Sequence, residues 1–158
     1  MTTAAPTQDA ILLVDDEADD ILLTKRVFRQ SGLAHPIYSV ANGMGAIAYL
    51  NGNSPYQNRA RYPLPAMILL DIKMPQIDGF EVLQWIRHQP AFANLPVVML
   101  TASDQIQDVN TAYQLGANSV LVKPLDTASV VELSRSIERL NARLPWGLRP
   151  VARIRFLA

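Results

Sequence analysis

Four short apolar runs restrict the folds that this chain can adopt. They occupy residues 11–14, 67–70, 97–100 and 120–122, and each ends at a polar residue. Continuous apolar runs of this length are typical of strands that are buried on both faces, as in a parallel sheet. The polar residues that follow them are then expected to lie along one edge of that sheet.

The chain alternates between strand-like and helix-like patterns. Strands are predicted at residues 10–14, 36–40, 66–70, 96–100 and 119–122. Helices are predicted at residues 19–30, 44–50, 80–88, 106–115 and 127–142, the last with an apolar stripe at helical spacing. Residues 51–65 are rich in Asn, Gly, Ser and Pro and predict a loop. This alternation predicts an α/β domain with a doubly wound, five-stranded parallel sheet and right-handed crossovers.

The composition excludes several classes of function. The chain has 158 residues, of which 49% are hydrophobic and 18% charged, as expected for one globular domain. Lys and Arg total 14, as do Asp and Glu, so the charge balance does not favour a nucleic-acid partner. Because there is no cysteine, disulfides, thiol nucleophiles and thiolate metal sites are excluded. The lack of an apolar signal segment or a bilayer-length stretch predicts a cytoplasmic protein without a membrane partner.

Chemically useful side chains follow four of the predicted strands. Asp15 and Asp16 follow the first strand, Asp71 the third, Thr101 the fourth and Lys123 the fifth. In open α/β sheets, functional sites form at the carboxyl ends of the strands. The sequence therefore predicts that three carboxylates, one hydroxyl and one amine converge at one edge of the sheet.

Three carboxylates at one edge predict a site for a divalent cation. Like charges that lie this close cannot all ionise cheaply without a cation. Mg²⁺ suits a site of few carboxylates, waters and a phosphate oxygen, with Mn²⁺ or Ca²⁺ as substitutes. Asp16 and Asp71 are the expected direct ligands, and Asp15 is expected to act partly through water. The backbone carbonyl of Lys73 is the expected additional protein ligand.

A carboxylate at a strand end beside such a cation is a competent phosphoryl acceptor, and the central position of Asp71 fits that role. Lys123 supplies a mobile positive charge that can pair with Asp71 or with phosphoryl oxygens. Thr101 offers a hydroxyl that can donate to a phosphoryl oxygen. The sequence thus predicts that Asp71 is the reacting group and that Thr101 and Lys123 interact with the phosphoryl oxygens.

Each of these features alone has an ordinary structural explanation. Asp15-Asp16 is a common way to cap the start of a helix, and Asp71 alone would suit a turn. A threonine that ends a strand is common, and Lys123-Pro124 alone would suit a loop. Their order at successive strand ends is much harder to obtain by chance.

Several short segments of the chain form one recognisable pattern. They are Leu13-Val14-Asp15-Asp16, Leu69-Leu70-Asp71-Ile72-Lys73-Met74-Pro75, Asp78-Gly79, Leu100-Thr101-Ala102, Gly116-Ala117 and Lys123-Pro124. Together they resemble the receiver domain of the response regulators of two-component signalling, over roughly residues 11–140. The resemblance implies the flavodoxin-like strand order 2-1-3-4-5. It also implies that Asp71 takes a phosphoryl group from a kinase phosphohistidine with Mg²⁺ present.

The resemblance further implies a switch, in which Thr101 moves toward the phosphoryl group and an aromatic residue on the last strand rotates inward. The corresponding residue here is Val120, which cannot make that movement. Tyr113 is a nearby aromatic residue, for which we expect a packing role. The resemblance also implies that the Lys123–Pro124 peptide bond can be cis.

The chain is expected to divide into a flexible N-terminus at residues 1–9, a receiver domain at residues 10–142 and a C-terminal tail at residues 143–158. The tail carries Trp146 and Phe156. It is expected to serve as a dimer or partner arm, and the alternative is a frayed end. Residues 51–65 resemble the extended loop of small receivers that partner bacterial phytochromes, and the alternative is a solvated insertion without a role.

The sequence predicts a single-domain response regulator that acts downstream of a sensor histidine kinase, with a bacterial phytochrome as the candidate kinase. It is expected to signal through the face formed by its last two helices and last strand, as a candidate homodimer, and to have no enzymatic activity beyond its own phosphotransfer and dephosphorylation. The first alternative is a pseudo-receiver scaffold that binds partners without phosphotransfer. An aspartyl-phosphate hydrolase is disfavoured because Lys73 stands where such enzymes need a second Asp. A flavodoxin-like electron carrier is disfavoured because Asp15-Asp16-Glu17 has the wrong charge for a phosphate loop.

Overall fold

The computed structural model contains one parallel five-stranded sheet. Its strands are β1 (Ile11–Val14), β2 (Ile37–Val40), β3 (Met67–Asp71), β4 (Val97–Thr101) and β5 (Ser119–Val122). They lie in the order β2-β1-β3-β4-β5, with every neighbouring pair parallel. The predicted fold class and strand order are therefore confirmed.

The structure describes residues 9–102 and 105–143, with side chains through residue 139. The flexible N-terminus predicted at residues 1–9 and the tail predicted at residues 143–158 lie almost entirely outside the described residues. The hypothesis that Trp146 and Phe156 contribute to a dimer lies outside them as well. Among the described residues, no helix is long and apolar enough to cross a membrane.

Within the part of the chain that the structure describes, five α-helices connect and follow the strands. They are α1 (Ala18–Gln30), α2 (Gly43–Asn51), α3 (Gly79–His88), α4 (Ile106–Gln114) and α5 (Thr127–Arg143). Helices α2 and α3 each begin one residue earlier than predicted, because Asn42 and Asp78 cap them by accepting hydrogen bonds from the backbone N–H groups of Gly45 and Glu81. A short 3₁₀ helix at Pro90–Phe92 was not predicted.

The two faces of the sheet carry separate hydrophobic clusters. Leu12 and its strand neighbours on one face pack with residues of α2, α3 and α4, such as Ile86. Leu13 on the other face packs with residues of α1 and α5, such as Phe28 and Leu133. Successive side chains of a strand point to opposite faces. A strand covered on both faces therefore needs a continuous apolar run, which explains the pattern of the sequence.

Strands β3 and β4 each extend to the functional residue that was predicted to follow them. Asp71 and Thr101 are the last residues of their strands. Asp71 is in register with Leu100, and the next residue, Ile72, donates its backbone N–H to the Leu100 carbonyl at 2.9 Å. These two side chains are therefore positioned by the sheet itself and not by mobile loops.

A glycine at the start of α3 lets the chain pass close beneath Asp71. The Gly79 backbone N–H donates to the Ile72 carbonyl at 2.7 Å. A Cβ atom at Gly79 would collide with the backbone oxygen of Asp71 and lie 2.9 Å from the Ile72 Cα. Since the colliding atoms belong to the backbone, no side-chain rotation could relieve the contact.

The segment 51–65 packs against the end of α2 and is not simply solvated. The Arg59 guanidinium donates to the Tyr49 and Leu50 carbonyls at 2.8 Å each, and so satisfies carbonyls at the end of the helix. The Tyr49 hydroxyl donates to the Pro63 carbonyl at 2.8 Å. The Tyr62 ring lies edge-on to the Tyr49 ring, with centroids 6.1 Å apart. This loop, which begins after Asn51 and is here called the tyrosine loop (residues 52–65), is thus held by hydrogen bonds and ring contacts.

Arg59→Ala is expected to lower the free energy of unfolding by about 2 kcal/mol, because it removes charge-assisted hydrogen bonds to partly buried carbonyls. The matched control is Arg61→Ala. Arg61 is exposed and its guanidinium lies 5.5 Å from the Tyr62 ring centroid, a contact worth about 0.5 kcal/mol. Urea denaturation of both variants measures the difference. Equal losses in the two variants would contradict the anchoring role of Arg59.

Candidate functional site

The carboxyl ends of β1, β3, β4 and β5 meet at one pocket. Five of the residues singled out in the sequence line it directly, namely Asp16, Asp71, Lys73, Thr101 and Lys123. Asp15 lies fully buried at the end of β1, and its Oδ2 atom is 3.3 Å from the Lys123 Nζ atom. The exposed residue Lys73 lines the pocket from the segment after β3.

The capping explanation for the paired aspartates does not hold in this structure. The N-cap residue of α1 is Glu17, and its side chain makes no capping hydrogen bond. Asp15 instead accepts a hydrogen bond at Oδ1 from the Glu17 backbone N–H at 2.9 Å. This bond orients the buried carboxylate, leaving its other oxygen toward Lys123.

Asp15, Asp16 and Asp71 form a carboxylate cluster. One oxygen of each lies within 4.8 Å of an oxygen of the others. Asp15 and Asp71 are buried, whereas Asp16 is exposed. Oxygen ligands at this separation, two of them shielded from solvent, suit a hard divalent cation that keeps several waters. The residues present therefore fit a divalent-cation site.

The environment of Asp71 disfavours its ionised form when no cation is bound. Burial raises the pKa of this carboxyl to about 7; the nearby Lys123 opposes the rise, and the negative charge of Asp15 adds to it. A divalent cation beside the carboxylates would reverse this balance, because an adjacent positive charge favours the ionised form. Cation binding and the ionisation of Asp71 are thus physically linked.

Lys123 is surrounded by carboxylates. Its Nζ atom lies 2.8 Å from Asp20 Oδ2, 3.3 Å from Asp15 Oδ2 and 3.4 Å from Asp71 Oδ1. Burial lowers the pKa of this amine, but the hydrogen bond with Asp20 and the charges of Asp71 and Asp15 outweigh that effect and raise it. Lys123 is therefore protonated across the physiological range.

The backbone fixes Lys123 relative to the fourth strand. Its N–H donates to the Thr101 carbonyl at 2.8 Å, and the Lys123–Pro124 peptide bond is cis, as the resemblance implied. Thr101 is 3% exposed, and the small, exposed Ala102 next to it leaves the pocket open to solvent. The hydroxyl and the amine are thus carried by adjacent strand ends.

The sequence interpretation missed Asp20. This residue lies in the first turn of α1, lines the same pocket and makes the shortest contact of Lys123. An available signal was its position one helical turn after Asp16, within an acidic run that continues past the strand end. Within that run, the sequence interpretation assigned a role in the site only to Asp15 and Asp16.

Val120 is fully buried on β5 and belongs to the hydrophobic cluster on the α4 side of the sheet. Tyr113 of α4 is partly buried and packs against the same cluster. The packing role predicted for Tyr113 therefore agrees with the structure. Strand β5 itself carries no aromatic residue.

Comparisons with known proteins find response regulators that are similar to this chain in sequence and in fold. A family model described as the response regulator receiver domain matches residues 11–135. The response regulator Rcp1 of Synechocystis sp. is 35% identical over 128 residues, which make up 81% of this chain and 85% of Rcp1. The solved bacteriophytochrome response regulator AtBRR has a TM-score of 0.73 and 36% identity, covering 84% of this chain and 94% of AtBRR. The Mn²⁺-bound form of Rcp1 has a TM-score of 0.67 and 32% identity, covering 87% and 96% of the two chains.

Asp16→Asn is expected to remove most of the stabilisation that a divalent cation gives the folded protein. A cation at 100 times its Kd stabilises the state that binds it by about 2.7 kcal/mol, so it should raise the Tm of the wild type by several degrees. The matched control is Asp19→Asn, which removes a charge from an exposed residue of α1 outside the carboxylate cluster. Thermal unfolding with Mg²⁺, with Mn²⁺ and with a chelator measures the effect. Equal cation-induced shifts in Asp16→Asn and the wild type would contradict the assignment.

Proposed function

The chain belongs to the response regulator receiver domain family, and from this premise we propose that Asp71 accepts a phosphoryl group from a sensor histidine kinase in a Mg²⁺-dependent reaction. The observation that carries the proposal is the position of the Asp71 carboxylate. It lies at the end of the central strand β3, beside Asp15 and Asp16 and 3.4 Å from the Lys123 amine. A nucleophilic carboxylate, a cation site and a fixed positive charge are the components that phosphoryl transfer to a carboxylate requires.

In the proposed reaction, an Asp71 carboxylate oxygen attacks the phosphorus of a phosphohistidine. An O–P bond forms as the N–P bond breaks, and the departing imidazole takes up a proton. Asp71 must be ionised to act as the nucleophile. The raised pKa of the cation-free carboxyl, about 7, therefore supports a requirement for the cation before transfer.

The cation would be held by the side chains of Asp15, Asp16 and Asp71 together with the backbone carbonyl of Lys73. When bound, Mg²⁺ supplies positive charge that stabilises the transferring phosphoryl group. Mg²⁺ is proposed because few carboxylates with several waters match its coordination preference. The Mn²⁺-bound form of the relative Rcp1 supports a divalent cation in this family and makes Mn²⁺ a reasonable substitute.

Lys123 and Thr101 are proposed to recognise the transferred group. The Lys123 amine can pair with a phosphoryl oxygen, and the Thr101 hydroxyl can donate to another. The hydrogen bond between the Lys123 N–H and the Thr101 carbonyl would then couple the response of Lys123 to that of Thr101. The signal is proposed to leave through the face formed by α4, β5 and α5, where the changed surface binds its target.

The partner kinase is proposed to be a bacterial phytochrome. The support is the similarity to the bacteriophytochrome response regulators RtBRR and AtBRR, at 37% and 36% identity. The protein is proposed to act through phosphoryl relay or binding and to have no further enzymatic activity. Its chemistry would then be restricted to gaining and losing the phosphoryl group at Asp71.

Wild-type protein incubated with acetyl phosphate and Mg²⁺ is expected to gain the mass of one phosphoryl group. A chelator should abolish the gain, because the cation favours the ionised form of Asp71 and neutralises the transferring group. Asp71→Asn should show no gain because the amide is not a nucleophile. Intact-mass spectrometry measures all three results.

Asp78→Asn is the matched control for Asp71→Asn, because it changes an aspartate that caps α3 outside the carboxylate cluster and keeps a good capping residue. It should gain the phosphoryl mass as the wild type does. Circular dichroism would establish that each variant is folded. If the folded wild type gained no mass with Mg²⁺, the phosphoacceptor function would be rejected in favour of a scaffold that binds partners without phosphotransfer.

A further inference from the structure

The strongest partner of Lys123 in this structure is not the proposed phosphoacceptor. The Lys123 Nζ atom lies 2.8 Å from Asp20 Oδ2, whereas its distance to Asp71 Oδ1 is 3.4 Å. Asp20 also lies outside the cluster of three carboxylates that fits a cation. Its interaction with Lys123 therefore calls for an explanation apart from cation binding.

The contacts of Lys123 come from two sides of the pocket. Asp15 and Asp71 lie at the ends of sheet strands, whereas Asp20 lies on the first turn of α1. The Lys123 backbone is fixed to β4 through the Thr101 carbonyl, so only its flexible side chain can redistribute between the two sides. The side chain of Asp20 is 33% exposed, against 6% for that of Asp71. Solvent can therefore replace the Lys123 contact more easily at Asp20 than at Asp71.

An ammonium group has three N–H donors. In this structure Nζ faces three carboxylates, of which Asp20 is the closest. A phosphoryl group on Asp71 would add charged acceptor oxygens on the sheet side of the pocket. Those oxygens and the carboxylate of Asp20 would then compete for the same donors.

We propose that Asp20 is a positioning residue that holds the Lys123 ammonium toward α1 and competes with the phosphoryl group on Asp71 for it. This inference rests on the proposed phosphoacceptor function and deepens it. In the unphosphorylated protein, Asp20 keeps the amine in place at the edge of the pocket. In the phosphorylated protein, Asp20 weakens the pairing between Lys123 and the phosphoryl group. Because a positive charge on the phosphoryl oxygens favours phosphoryl transfer to water as well as to Asp71, Asp20 thereby lengthens the lifetime of that group.

Asp20→Asn is the direct test, because it removes the charge while keeping the size of the side chain. Lys123 should then pair fully with the phosphoryl group, and the half-life of the phosphorylated protein should shorten roughly fivefold, the effect of a partly exposed ion pair. The protein would be phosphorylated with acetyl phosphate and Mg²⁺, separated from the donor and followed by intact mass over time. The experiment measures the loss of the phosphoryl group and not its gain, because the change of charge at Asp20 could alter how the anionic donor binds.

Three further variants separate positioning from a structural or general charge effect. Asp20→Glu should restore a half-life close to that of the wild type, because it keeps the carboxylate. Asp19→Asn removes a neighbouring exposed charge of the same helix and should change the half-life less than twofold. In a Lys123→Gln background, adding Asp20→Asn should leave the half-life unchanged, because the amine for which Asp20 competes is gone.

The outcomes distinguish this inference from the function on which it rests. If the wild type is phosphorylated and Asp20→Asn has an unchanged or longer half-life, the positioning role is overturned and the phosphoacceptor function stands. An equal shortening in Asp19→Asn, or the same shortening in the Lys123→Gln background, would also overturn it. If the folded wild type takes no phosphoryl group, both fail. Should Asp20→Asn not fold, Asp20→Ala provides the same charge removal and is judged by the same half-life.

Discussion

Placing carboxylates at the buried end of a parallel sheet is the constraint on which the rest of this structure depends. Burying an ionised group without a partner is costly, and Asp15 and Asp71 are both almost fully buried. The chain meets this cost locally with one protonated lysine, Lys123, and with the Glu17 backbone N–H that binds Asp15. One amine shared among three carboxylates leaves an excess of negative charge. Burial is the main cause of the raised pKa of Asp71, and the excess negative charge adds to it. The same excess creates a site that attracts a cation.

The fold supplies the rigidity that this arrangement needs. Asp71 and Thr101 end strands that are covered on both faces, so their backbones are held by register with neighbouring strands. Gly79 allows the chain after β3 to return closely beneath Asp71. Side chains on rigid elements keep a reactive geometry more accurately than side chains on loops. The apolar runs of the sequence thus form the rigid strands that hold the polar residues at their ends in position.

Much of the fold and most of the pocket could be predicted from the sequence. A continuous apolar run predicts a doubly covered strand, and the carboxyl ends of parallel strands meet at one edge, so the convergence of Asp71, Thr101 and Lys123 follows from local pattern. Asp20 was missed although its position one helical turn after Asp16 was a local sign, because its contact with Lys123 depends on how the start of α1 is placed relative to the end of β5. The anchoring of the tyrosine loop by Arg59 was missed for a similar reason. An arginine among turn residues gives no local sign of which carbonyls it will reach.

Strand and helix limits were the least predictable feature, and the reason is physical. The polar residues Asp71 and Thr101 were taken as the points where apolar strands stop, yet both keep strand pairing. Pairing is decided by backbone hydrogen bonds, which are indifferent to side-chain polarity at a sheet edge. The helix starts shifted by one residue where Asn42 and Asp78 capped the first turn.

The valine on β5 has a mechanical consequence. Val120 is enclosed by the core, and a β-branched side chain has little freedom about its first torsion angle. It offers neither a ring to reorient nor a polar end to exchange partners. A conformational change that leaves the pocket along β5 must therefore be transmitted as a displacement of the main chain. The hydrogen bond from the Lys123 backbone N–H to the Thr101 carbonyl would couple that displacement to β4.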